Sequence, residues 1–285
     1  MAIAAGPTNP VSLELRTVPG TKTTFVFTDI SNTSMSMMGQ DMNMTSSSGS
    51  EYLLEAKKDS AGMKSFVATL VSAQKSMDQM AMKIDINTAD PKADTTAEPA
   101  GSLTKFYKRL TGTPYTVYFN NKGKVAASSG AKEIYKNAVS VLDLTGPMAA
   151  LKNMASESVL TTDLEKAFGL NPGKSIQVGE KWDRTDTVTT NGIPVHSVTK
   201  YSFDKLEGNV ATIKTSSVIS FEGDIDAMPG ASAKLMGTAV GSFKVNTTNG
   251  LLISSTADAD MEMKLTANGM DIPMKVSTKS TITTK

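Results

Sequence analysis

The sequence predicts an α+β fold: a strongly curved antiparallel sheet, a half-barrel built as a duplicated β-meander, with a central helical insert covering its concave face. Three observations predict it. Apolar residues alternate with polar ones over both ends of the chain, the period-two pattern of strands with one dry and one wet face. Helical spacing is confined to residues 101–172. Two methionine-faced segments, 35–44 (Met-Ser-Met-Met-Gly-Gln-Asp-Met-Asn-Met) and 261–274, each alternate about a glycine, as β-hairpins do. Strands, a helical insert and strands again indicate a single domain over 1–285 and not a βαβ fold. Within it, 1–20 forms a tail and first strand, 21–87 a first β-segment, 101–172 the helical insert with a short hairpin, and 175–285 a second β-segment.

In order along the chain, 11–15 and 21–33 alternate as strands, with Phe25 and Phe27 on one face. A turn at 38–41 leads into a long strand over 42–57, whose same-face set is Met42, Met44, Tyr52, Leu54 and Ala56. The next extended run carries Phe66, Ala68 and Leu70, then Met80, Met82, Ile84 and Ile86. Strands of this length must twist and coil strongly. Residues 88–101 are rich in Asp, Pro, Ala and Thr and read as a loop. Leu103, Phe106, Tyr107 and Leu110 have helical spacing, 113–119 is a strand turned at Asn120-Asn-Lys-Gly123, and helical patterns follow at 132–142, 147–156 and 162–168. From Trp182 the strand pattern resumes, with turns at 191–192, 207–209, 228–230, 249–250 and 268–269.

Composition excludes several function classes. The formal charge is +1 with one histidine in 285 residues, so no basic surface points to nucleic acid. Cysteine is absent, which removes disulfides, thiolate metal sites and a cysteine nucleophile. No run reaches the roughly 18–20 apolar residues of a helical span, so the chain is expected not to be transmembrane. Residues 1–10 are too short for a signal peptide and read as the start of a mature or trimmed chain, with any export signal or lipid anchor absent from it.

Methionine is the outlier, at 18 residues against 9 Phe, 6 Tyr and 1 Trp. Flexible thioethers re-pack around varied partners more readily than aromatic rings. Three readings of the methionine faces stay open: ordinary core beneath the helices, a cavity for an acyl chain or other apolar ligand, and a soft Cu(I) site. The candidate ligand-lining residues are Met35, Met37, Met42, Met44, Met80, Met82, Met261, Met263, Met270 and Met274. No histidine or cysteine joins them, so no metal site and no tight copper binding is expected. His196 stands alone and reads as a surface strand histidine; no nucleophile elbow or triad pattern exists, so no catalytic residue and no cofactor is assigned.

The methionine hairpin at 35–44, Leu110-Thr-Gly-Thr-Pro-Tyr-Thr-Val-x-Phe119 with Gly123-Lys-Val125, Val178-Gly-Glu-Lys-Trp182, Gly208-Asn-Val-Ala-Thr-Ile213 and Asn249-Gly-Leu-Leu252 together resemble a domain-of-unknown-function family of exported proteins, common on lipoproteins of the Bacteroidota. The resemblance runs from about residue 21 to the C-terminus and implies a periplasmic or outer-membrane-associated location. It carries no assigned functional residue. At fold level the layout is similar to envelope carriers of lipids and lipoproteins, an analogy and not a site argument. The expected function is non-enzymatic binding of a lipid or acylated protein between sheet and helices. The alternative is an envelope interaction module with a filled core and a protein partner.

Overall fold

The computed structural model describes residues 9–37, 40–79, 82–93, 95–96, 100–142, 157–190, 193–225, 230–267 and 269–285. Residues 38–39 of the turn expected at 38–41, the turn expected at 191–192, most of the loop at 228–230 and the helix expected over 147–156 lie outside them, while residues 40–41 of the first turn already belong to a strand. Twelve strands are described: β1 (Lys22–Met37), β2 (Gln40–Ala56), β3 (Lys64–Gln79), β4 (Met82–Asn87), β5 (Tyr115–Phe119), β6 (Val125–Ser129), β7 (Lys181–Thr190), β8 (Ile193–Glu207), β9 (Val210–Asp224), β10 (Ala231–Asn246), β11 (Leu252–Ala267) and β12 (Met270–Thr284). Three short helices are described among these residues: α1 (Ala100–Leu110), α2 (Ala131–Val139) and α3 (Thr162–Phe168), the last preceded by a 3₁₀ turn at Glu157–Leu160.

All the strands belong to one antiparallel sheet, which does not close, ordered β6-β5-β3-β2-β1-β12-β11-β10-β9-β8-β7 with β4 beside β3. The first and last long strands pair with each other, Phe25 opposite Thr284 and Met35 opposite Met274, so both β-segments share the sheet. The α+β class and the curved sheet follow as the alternation predicts.

Two sequence expectations change. The run from Phe66 to Ile86 is two strands, β4 folding back on β3 with Met82 opposite Gln79. Residues 11–15 bury Leu13 against the core, but they form only an isolated bridge, Val11 to Ile176, and a hydrogen bond from the Arg16 N–H to the Asn249 carbonyl. Their alternation reports which side chains are buried, and among the described residues no neighbouring strand runs alongside them to form a ladder.

Strand register arranges the inner face in transverse rows, each crossing the sheet at one height. The lowest rows are large and apolar: Ile213, Phe243, Ser255, Ile282, Phe27 and Ser50 stand opposite one another in turn. The helices cover these rows. Phe168 of α3 sits among Phe25, Phe66 and Phe119, with ring centroids 5.6, 5.4 and 4.6 Å away. Buried Tyr52 donates its hydroxyl to the Val159 carbonyl at 3.2 Å, and Tyr115 donates to that of Leu160. Burial pushes both phenols above the ordinary tyrosine value, with further upward push from Asp163, so they remain donors wherever the fold is stable.

One turn fixes α3 against the sheet. Gly123 has φ +73°, and a Cβ there would collide with the Phe168 carbonyl. Gly123→Ala should therefore lower stability by about 1–3 kcal/mol, the cost of a strained φ, with the clash added. Urea unfolding read by the fluorescence of Trp182 checks this; an unchanged midpoint would contradict the close approach.

Candidate cleft between the sheet and the first helix

Above the aromatic rows the inner face turns small and polar. One row runs Thr215, Gly241, Ala257, Ser280, Asp29, Ser48, Lys75, Ile86. The next runs Ser217, Ala239, Ala259, Thr278, Ser31, Ser46, Met77, Ile84. Small side chains leave space below a helix, and α1 lies over it. The result is a cleft of about 450 Å³ floored by Ser31, Ser46, Ser48 and Lys75 and walled by Met77, Ile84, Ile86, Leu103, Phe106 and Tyr107. A smaller hollow of about 160 Å³ adjoins it, shares Asp29, Ser48, Lys75 and Tyr107, and reaches Val159 and Asp163 at α3.

Its charges are unequally matched. Lys166 bridges Asp29 at 3.2 Å and Asp163 at 3.0 Å, and Ser50 donates to Asp163 at 2.8 Å. Burial works against the Lys166 ammonium, but the two carboxylates outweigh it and hold its pKa above the ordinary lysine value. Lys75 has its ammonium 5.2 Å from the centre of the Tyr107 ring, and no carboxylate reaches it among the described residues. Among the described residues no group of three or more His, Cys, Asp or Glu is placed to hold a metal.

Higher still come the methionine rows. Phe221, Leu235, Met263, Met274, Met35 and Met42 face one another in sequence across β9, β10, β11, β12, β1 and β2. One row below, Gly237, Met261, Val276, Thr33 and Met44 do the same. A Cβ on Gly237 would lie 2.6 Å from Met261 Cγ, so the methionine lies across the bare backbone of the next strand. The structure thus gathers Met35, Met42, Met44, Met261, Met263 and Met274 on one half-buried face that begins about 7 Å along the strands from the cleft floor. A second apolar cluster forms there around Phe221, Ile225, Ala231 and Ala233, without helix residues among those described. Met270 stands at the hairpin tip, 50% exposed. Met37 and Met82 are placed by register only, opposite Gln40 and Gln79, and Met80 lies outside the described residues.

The polar side of the sheet carries two further open hollows, of about 570 and 810 Å³, sharing Ser34, Asn43, Met236, Glu262 and Lys275. Met35, Met263 and Met274 also border the first, Met44 and Met261 the second. His196 lies exposed on β8 with Thr187 Oγ1 2.9 Å from its Nδ1, as a surface strand histidine should.

The cleft's own lining was missed in the sequence. One signal for it exists: the run Thr45-Ser-Ser-Ser-Gly-Ser50 interrupts the apolar alternation of β2 midway between Met44 and Tyr52.

Residues 68–252 match DUF6263, a family of unknown function. The chain belongs to this family. The DUF6263 match takes in Lys75, Met77, Phe106 and Tyr107, while Ser31, Ser46, Ser48 and the methionines of β11 and β12 fall outside it. No curated protein matches the sequence. Among solved structures, one titled for lipid–protein interactions in lipovitellin aligns with a TM-score of 0.52 at 9% identity, over 94% of this chain. The DUF6263 chain spans about a quarter (25%) of that lipovitellin chain, and at this identity the likeness shows the fold alone. An outer membrane channel from Pseudomonas putida F1 aligns at 0.25 with 10% identity, covering 95% of this chain and 98% of its own. A DUF1329 family protein from Desulfovibrio piger reaches 0.16 at 7% identity, over 89% and 83% of the two chains. Neither of these last two carries an argument. Among the described residues no helix is long and apolar enough to cross a membrane.

Proposed function

We propose that the chain is a non-enzymatic protein of the cell envelope that binds an apolar ligand, a lipid or the acyl chain of an acylated protein, between the curved sheet and its helices. One observation carries the reading: the helix-roofed cleft of about 450 Å³, walled by Ile84, Ile86, Leu103 and Phe106. Its volume falls in the range of roughly 300–1,000 Å³ that suits small-molecule pockets. The Met44 and Met42–Met35 rows begin where the cleft floor ends and offer a chain emerging from it an apolar bed of re-packing side chains. The commitment of Asp29 and Asp163 to Lys166 supports binding over acid–base chemistry. The envelope location, periplasmic or at the outer membrane, belongs to the same proposal and rests on the resemblance to exported proteins.

The test is displacement of a fluorescent fatty-acid probe by a ladder of acyl chains. Saturable binding with a chain-length optimum is the expected result; absence of saturable binding refutes the reading.

A second reading, an envelope interaction module, is favoured by one feature of the polar face. Val198 stands opposite Val218, and Val240 and Met236 flank Thr238 on β10, all four exposed. An apolar patch amid polar neighbours is a common contact surface for a protein partner.

A further inference from the structure

The cleft is amphipathic, and its polar end is specific. Resting on the apolar-ligand reading above, we infer that the ligand carries an anionic headgroup, a carboxylate or a phosphate, held by the Lys75 ammonium with the hydroxyls of Ser48 and Ser46.

Three observations support this. Lys75 sits on the inner face, in the row Asp29, Ser48, Lys75, Ile86, and lines both the larger cleft and the hollow beside it. Solvated lysines of this sheet's polar face need no such explanation. Lys75 is also exposed, but it stands on the inner face and lines a cleft with an apolar wall, where a ligand would meet its ammonium.

The cation that reaches the carboxylates of the cleft and its adjoining hollow is Lys166, and Lys75 has no carboxylate partner among the described residues. Lys166 holds Asp29 and Asp163, and Lys64 holds Asp59 at 2.7 Å. Arg184, which belongs to the same polar level through its register with Thr199 and Ser217, is bound to Asp186 at 2.7 Å. The ammonium of Lys75 lies over the face of Tyr107, a contact that orients it without neutralising it.

The third observation is the arrangement of hydroxyls. Ser48 separates Asp29 from Lys75 by one strand on each side, about 10 Å in all, so an anion on Lys75 lies nearer to Ser48 than to the Asp29 carboxylate. That carboxylate is already paired with Lys166. Ser46 is two residues further along β2, beside Met77, where the apolar wall begins. Headgroup on Lys75 and Ser48, chain along Met77, Ile84 and Phe106: the lining is ordered as such a ligand is.

The experiment uses the intact protein and a neutral fluorescent apolar probe, N-phenylnaphthylamine, displaced by three fourteen-carbon competitors: tetradecanoate, tetradecyl phosphate and tetradecanol. The anions should displace the probe at concentrations roughly tenfold lower than the alcohol, the size of one charge-assisted hydrogen bond. Comparing the two anions distinguishes a carboxylate from a phosphate source. In Lys75→Gln the preference should collapse to parity with alcohol binding unchanged, and Lys75→Arg should retain it. Equal displacement by alcohol and anion in the wild type, or a preference that survives Lys75→Gln, overturns the headgroup inference and leaves apolar binding standing. Failure of the probe and all three competitors to bind overturns both.

Discussion

Phe168→Ala should be the most destabilising single substitution in the helical insert, by about 3–5 kcal/mol. Phe168 is 8% exposed and lies within 5.6 Å, centroid to centroid, of Phe25, Phe66 and Phe119, which come from β1, β3 and β5. It is the C-terminal residue of α3, a helix of 7 residues that is too short to persist without tertiary packing. Removing the ring leaves a cavity where three strands meet and loosens Asp163, Glu165 and Lys166 on the same helix. Glu165 accepts the Val125 N–H at 2.7 Å, so edge strand β6 loses an anchor as well. Urea unfolding, followed by the fluorescence of Trp182 stacked on Tyr201, measures the effect. Phe168→Leu, which keeps most of the volume, should cost less. A midpoint within error of wild type for Phe168→Ala would mean that α3 is not held by this cluster.

How much of this was legible in the sequence depends on the direction considered. Alternation states which face a strand residue occupies, and Phe25, Phe27 and Met35 of β1 and Met42, Met44, Tyr52, Leu54 and Ala56 of β2 fell on one face as read. Alternation does not state height across the sheet. The row that joins Asp29 to both Ser280 and Lys75 depends on ladders between residues far apart in the chain, and nothing local specifies their register. Methionine is conspicuous by abundance, 18 residues in the chain, and so points to its own rows. The cleft is instead made by what is small: Ser31, Ser46 and Ser48 leave the space, and helix α1 roofs it. Leu103, Phe106 and Tyr107 had visible helical spacing, but a helix pattern does not reveal which part of a sheet it covers. The same limit explains Val11 to Leu15, whose alternation gave burial correctly and strand pairing incorrectly. The run from Phe66 to Ile86 holds no glycine or proline to announce that it is two strands.

Ser46→Trp should abolish probe binding, by more than tenfold, while leaving the fold intact. Ser46 lies on the cleft floor opposite Met77, so an indole there occupies the space that the apolar chain needs. Inserting a large side chain into a packed core costs about 1–3 kcal/mol, but here it enters a void and meets the apolar wall of Met77 and Phe106. Stability should therefore change little, and circular dichroism and the unfolding midpoint confirm that lost binding is not lost structure. The companion variant replaces Met42, Met44, Met261 and Met263 by leucine. Each change conserves volume and usually costs under about 1.5 kcal/mol, and none of the four lines the cleft. Short acyl chains that fit within it should then bind as in wild type. Chains long enough to leave the cleft pass onto the methionine rows, and there leucine, which re-packs less freely, should narrow the range of lengths accepted. The two variants together separate the surfaces. If Ser46→Trp binds as well as wild type while the leucine set loses binding at every length, the chain lies on the methionine face and the cleft is not its site. If both bind normally, neither surface is the site.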